Sequence, residues 1–89
     1  MDHILFEVKY KTIRYRSNNF EGFGVLIKQV NRRLKFYIET NIPTYILVYE
    51  KYSSQFYGQY LDKLQNNIYI DVGNTRIYDF SQFKIIDCS

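Results

Sequence analysis

The sequence predicts an α/β domain, a mixed sheet with one long helix crossing over between strands. Three observations carry that expectation. The stretch "HILFEVKYKTIRYR" (3–16) alternates apolar and polar residues with the two-residue period of a strand. The stretch "FGVLIKQVNRRLKFYIETN" (23–41) changes to apolar spacings of three and four, the period of a helix. A near-continuous apolar run, "TYILVYEK" (44–51), then follows Pro43.

Each element can be justified in order. Along 3–16, Glu7 and Lys9 share one face and Ile4, Phe6, Val8 and Tyr10 the other. A half-buried strand with its polar face toward solvent is expected. "SNNFEG" is a turn by its Asn and Gly content. In the helix, Phe23, Ile27, Val30, Leu34 and Tyr37 or Ile38 form one apolar stripe. Lys28, Arg32 and Lys35 form a polar face flanked by Gln29 and Arg33. Asn41 suits the helix end, and Pro43 cannot continue it. The run 44–51 reads as a strand buried on both faces. Strand, helix and strand together read as a right-handed crossover with a parallel pair. "SSQFYGQYLDKLQNN" (53–67) fits a strand at 55–60 or a short helix at 59–65. Residues 68–72 and 75–79 read as a hairpin turning at Gly73–Asn74. "SQFKII" (81–86) reads as a short helix or turn.

Composition narrows the function classes. Eighty-nine residues make one domain, 1–89. Ten tyrosines and seven phenylalanines supply much of the apolar area. The net charge of +3 permits a nucleic-acid partner without demanding one. Cys88 is the lone cysteine, so no internal disulfide can form. No apolar run approaches 18 residues, and Asp2 and Glu7 break up the first residues. A soluble cytoplasmic protein is expected, with no membrane partner. His3 is the lone histidine and has no second ligand at a zinc spacing. Ser53, Ser54 and Ser81 lack a histidine placed for a catalytic triad. "GFG" (22–24), between a strand and a helix, falls short of a phosphate loop.

"FEVKYKT" (6–12), "VNRRLKFYIETNIPTYILVYEKY" (30–52) and, more weakly, "YGQYLDKL" (57–64) stand in a recognisable order. A strand bearing Glu-x-Lys, a long helix and an "IPTYILVYE" strand resemble the PD-(D/E)xK nuclease superfamily. The resemblance covers about the middle two-thirds of the chain. It implies a restriction-endonuclease-like core, here truncated, and metal-dependent cleavage of DNA phosphodiesters, a Mg²⁺-dependent endonuclease if the site is completed. Glu7 would hold Mg²⁺ or Mn²⁺ together with the Val8 carbonyl. Lys9 would orient water or stabilise charge on the phosphate. Gln29 would match a glutamine that some members carry on the following helix.

The pattern departs from the family at its start. The family places an Asp on the strand before Glu-x-Lys, usually ten or more residues upstream. Here Asp2 is the only upstream acid and so the candidate third metal ligand, and its separation of five from Glu7 leaves no room for a hairpin. The expectation is an incomplete site. Its missing ligand would come from a lost N-terminal part or a second subunit, or catalysis would be lost and binding kept.

The last case is the alternative function, a non-catalytic nucleic-acid- or protein-binding module of the same fold. Lys11, Arg14, Arg16, Lys28, Arg32, Arg33 and Lys35 are the candidate phosphate contacts. Tyr15 and the cluster Tyr49, Tyr52, Phe56, Tyr57 and Tyr60 are candidate base-stacking residues. An unpaired edge at strand 3–16 predicts a homodimer or higher oligomer.

Overall fold

The long N-terminal alternation does not persist as one strand. In the computed structural model, which describes residues 3–87, it breaks at Thr12 and divides between two sheets. β1 (Leu5–Lys11) stays in the first sheet, and β2 (Tyr15–Ser17) opens the second. Asn18, at a φ of 54°, turns the chain into β3 (Phe20–Leu26). α1 (Ile27–Thr40) and β4 (Thr44–Glu50) follow. Then come β5 (Gln55–Tyr60), α2 (Leu61–Gln65), β6 (Tyr69–Val72), β7 (Thr75–Asp79), a 3-10 turn (Phe80–Gln82) and β8 (Lys84–Ile86).

The chain is therefore mixed α/β, with one long helix between parallel strands. The first sheet runs β1-β4-β5-β8 and is mixed: β1 and β4 are parallel, and β5 is antiparallel to both of its neighbours. The second, β2-β3-β7-β6, is wholly antiparallel. The sequence reading had one sheet. It also started the helix at Phe23, four residues early. Phe23 continues the three-and-four spacing by coincidence, because it lies on the inward face of β3. The reason for "GFG" is packing. A Cβ on Gly22 would stand 1.9 Å from the Tyr78 carbonyl oxygen, and one on Gly24 2.7 Å from the Thr75 methyl. Glycine lets β3 and β7 approach closely.

Other expectations hold. Asn41 closes α1 at a φ of 61°, its N–H donating to the Tyr37 carbonyl. The strand and the short helix weighed for 53–67 both form, in succession as β5 and α2. The hairpin turns at Gly73, whose φ is +61°.

The core lies between the two sheets and under both helices. Phe23, Val25 and Tyr78 from the second sheet meet Ile46, Val48 and Tyr57 from the first. Val30, Leu61 and Leu64 close it from the helices. β4 buries Thr44, Ile46, Val48 and Glu50 and leaves Tyr45, Leu47 and Tyr49 half-buried, so only one of its faces is fully covered. β1 reverses the usual orientation. Its apolar residues Phe6, Val8 and Tyr10 are exposed, and Leu5, Glu7, Lys9 and Lys11 turn inward. The polar face expected in solvent is the one beside α1.

Candidate functional site

β1 and α1 bring the Glu-x-Lys pair and Gln29 together. Register places Glu7 beside Ile46 and Lys9 beside Val48, on the inward face of the sheet. On α1, Gln29 and Arg33 are one turn apart and turn toward β1. The Gln29 amide joins the pair. Its Oε1 accepts from Lys9 Nζ at 2.5 Å, and its Nε2 donates to Glu7 Oε2 at 3.1 Å. Arg33 takes the other carboxylate oxygen, with Nε 2.6 Å and Nη2 2.5 Å from Glu7 Oε1. Both carboxylate oxygens thus have a partner on the helix.

Lys11 extends the row. It is half-buried and lines a groove with Ile13, Tyr15, Gly22, Gly24 and Thr75. Its pKa is lowered, first by burial and then by the neighbouring ammonium of Lys9. Among the described residues it makes no ion pair. Lys9, Lys11 and Arg33 therefore present three cations around the carboxylate of Glu7, while the other carboxylate on this face, Glu50, stands beside Lys11 in register and is taken up by Arg14. Such a site attracts anions.

The remaining candidates separate. Lys28, Arg32 and Lys35 form an exposed row on α1 beside the Gln29–Arg33 row. Arg16 is exposed on the β2–β3 hairpin and pairs with Glu21 at 3.0 Å. Arg14 is not a surface phosphate contact. Its backbone N–H, Nε and Nη2 donate to Glu50 at 2.7, 3.0 and 2.8 Å, and its guanidinium lies 3.7 Å from the Phe80 ring centroid. Tyr57 is in the core, whereas Tyr49, Phe56 and Tyr60 lie on the outer face of the first sheet. Asp2 and Cys88 lie outside the described residues. Arg33 as the partner of Glu7 was missed. Its signal was the spacing of four from Gln29.

The donor set suits a hard divalent cation in kind. The Leu5 N–H donates to the Pro43 carbonyl, and the Lys51 N–H to the Lys11 carbonyl, so the odd-numbered residues of β1 aim their backbone groups at β4. Alternation then turns the Val8 carbonyl to the outer edge, where no described strand pairs with it. The Glu7 carboxylate and the Val8 carbonyl are both oxygen donors, and Mg²⁺ is commonly held by one or two carboxylates plus substrate phosphate. No group of three or more His, Cys, Asp or Glu side chains clusters among the described residues. Among the described residues no helix is long and apolar enough to cross a membrane. Compared with protein-family models, curated proteins and solved structures, the chain matches none.

Proposed function

We propose that this surface engages the phosphodiester backbone of DNA and, with Mg²⁺ or Mn²⁺, cleaves it. One observation carries the reading: Gln29 holds Glu7 and Lys9 in a single hydrogen-bonded unit across β1 and α1. Glu7 and the Val8 carbonyl would hold the ion. When bound, the ion polarises the phosphate and activates water. The chain's own residues supply the rest. Lys9 places an ammonium beside the carboxylate, where charge on a phosphate oxygen would develop. Gln29 fixes the separation of the two groups. Lys11 and the row Lys28, Arg32 and Lys35 position the backbone through charge, without reading sequence. Arg33, which pairs with Glu7, would have to yield that carboxylate to a bound ion. A restriction-endonuclease-like core, completed by a further carboxylate from outside the described residues, is the fold that accompanies this reading.

A second reading is favoured by the surplus of cations, Lys9, Lys11 and Arg33 around Glu7 with Glu50 already taken by Arg14: the same surface binds phosphate without cutting. One experiment separates them. Mn²⁺ is titrated into ¹⁵N-labelled protein, and plasmid cleavage is measured for the parent, Glu7→Gln and Lys9→Ala purified identically. Broadening confined to 7–9 and cleavage lost in both variants support the nuclease. No selective broadening and no cleavage, with DNA binding weakened by Lys9→Ala, sink it in favour of the binding module.

A further inference from the structure

The outer face of the first sheet is apolar, and none of the described residues covers it. Phe6, Val8 and Tyr10 stand on it, 57%, 66% and 63% exposed. Register continues the face through Tyr45, Leu47 and Tyr49 of β4 to Phe56, Gly58 and Tyr60 of β5. The rings pack on one another across the strands. Phe6 meets Tyr45 at 5.8 Å, Tyr45 meets Tyr60 at 4.9 Å, Tyr10 meets Tyr49 at 5.8 Å, and Tyr49 meets Phe56 at 4.9 Å. Gly58 leaves room for Tyr45 to lie over β5, since a Cβ there would stand 2.4 Å from its ring. The molecule is 18 Å deep in its shortest dimension, against 36 and 35 Å in the others. With sheet layers about 10 Å apart, that is two layers, and none lies over this face.

We infer that this face packs against the same face of a second copy of the chain, sheet on sheet. The area supports it. At about 200 Å² for a whole aromatic side chain, Phe6 and Tyr10 each leave roughly 100 Å² open. With Val8 and the half-buried residues of β4 and β5, the face offers on the order of 500–600 Å². That is at the top of the range for apolar patches on monomers and near the roughly 800 Å² per partner of a stable interface. Charge supports it too. Among the described residues no carboxylate stands on the face, and Lys84 lies only at its rim, so the face meets itself without like charges opposed. With Lys84 as the one described cation beside the rings, a nucleic-acid backbone finds little charge to meet on this face.

The sheet's edges are guarded where its face is not. β8 is three residues long. β1 turns Glu7, Lys9 and Lys11 inward, a device that discourages edge pairing. Association therefore belongs to the face rather than to the edge that the sequence suggested.

The test is the mass of the unmodified chain by light scattering, from low micromolar to near-millimolar concentration. A mass of twice 10.8 kDa is expected at the upper end. Phe6→Glu weakens the association by roughly 30-fold or more, the effect of losing an interface hot spot. Tyr10→Glu does the same, and it keeps the question answerable if the first variant fails to fold by circular dichroism. A monomeric mass throughout overturns the inference. So does a dimer that both folded variants leave unchanged, which would place the contact on another face. Single-stranded oligonucleotide that shifts the Tyr10 and Tyr49 signals of a monomer would assign the face to nucleic acid instead.

Discussion

Two glutamates lie on the inward face of the same sheet, in neighbouring strands, and each meets an arginine. Glu50 is wholly buried, and four donors converge on it: three from Arg14 and the Ser53 hydroxyl at 2.7 Å. Arg14 is itself sandwiched against Phe80, which packs on the core rings of Phe23 and Tyr57. Glu7 is 13% exposed at its side chain and its partner Arg33 27%. Its remaining partner is a neutral amide that also holds a lysine. In the first pair the carboxylate itself has no exposed surface and Arg14 is 11% exposed, so the pair ties the β1–β2 link to the core. The second is reachable, and its partners can be exchanged for a ligand. Residue types alone do not separate structure from site. Burial and spare hydrogen-bonding capacity do.

The largest expected effect breaks the first pair. Glu50→Ala leaves the Arg14 cation, 11% exposed, with only the solvent-exposed Glu21 carboxylate at 3.6 Å, which costs about 3 kcal/mol, the lower end for a broken buried pair. A domain of this size has roughly 5–10 kcal/mol in total, so urea denaturation should show a much lower midpoint or no folded baseline. A loss below about 1 kcal/mol would mean that Arg14 finds water instead, and that the contrast between the pairs is false.

Acid should act on the same pair. Hydrogen bonds from the Arg14 guanidinium, opposed by burial and helped by Ser53, hold the Glu50 carboxyl down to about 2 from 4.5. A carboxyl whose pKa is depressed by folding stabilises the fold above its unfolded value. That stability, about 3 kcal/mol, is lost as pH falls from about 4.5 toward 2. The Glu50 carboxyl carbon, followed by NMR, should keep its ionised shift down to about pH 3 while the denaturation midpoint falls. Titration of that carbon near its ordinary value would remove the claim.

How much of this was legible depends on what alternation encodes. The period of "ILFEVKYKT" identified β1, and the resemblance put Glu7, Lys9 and Gln29 in one site, which the geometry brings together. Alternation does not say which face is inward, and the default of burying apolar residues placed Phe6, Val8 and Tyr10 on the wrong side. The buried role of Arg14 was hidden because Glu50 is 36 residues away and read as the end of an apolar strand. β2 was merged into one strand over 3–16 because the alternation continues across the break at Thr12, and β3 was lost because Phe23 happened to extend the helix spacing. The glycines two apart in "GFG" were the available signal, since glycine inside a strand marks close backbone approach.

A smaller effect sharpens the second pair. Arg33→Ala removes the cation from Glu7 and should cost about 1–2 kcal/mol, less than Glu50→Ala. It should also raise Mn²⁺ affinity at 7–9, because the ion no longer competes with a guanidinium. Unchanged broadening in this variant would count against Glu7 as a ligand.

The smallest effect on stability tests the groove. Lys11 loses hydration where it stands and gains no carboxylate, so Lys11→Ala should leave stability within about 0.5 kcal/mol or raise it slightly. If Lys11 meets a phosphate, the variant should bind DNA more weakly for every sequence alike. The slope of log affinity against log salt should become shallower by about 1, one counterion fewer released. Arg16→Ala is the matched control. Arg16 is exposed and its pair with Glu21 lies on the hairpin, so a similar fall there would mean that diffuse positive charge draws the DNA, not the row running from Lys9 to Lys11. Equal slopes for the two variants would therefore remove the distinction between site and surface that Glu7 and its partners suggest.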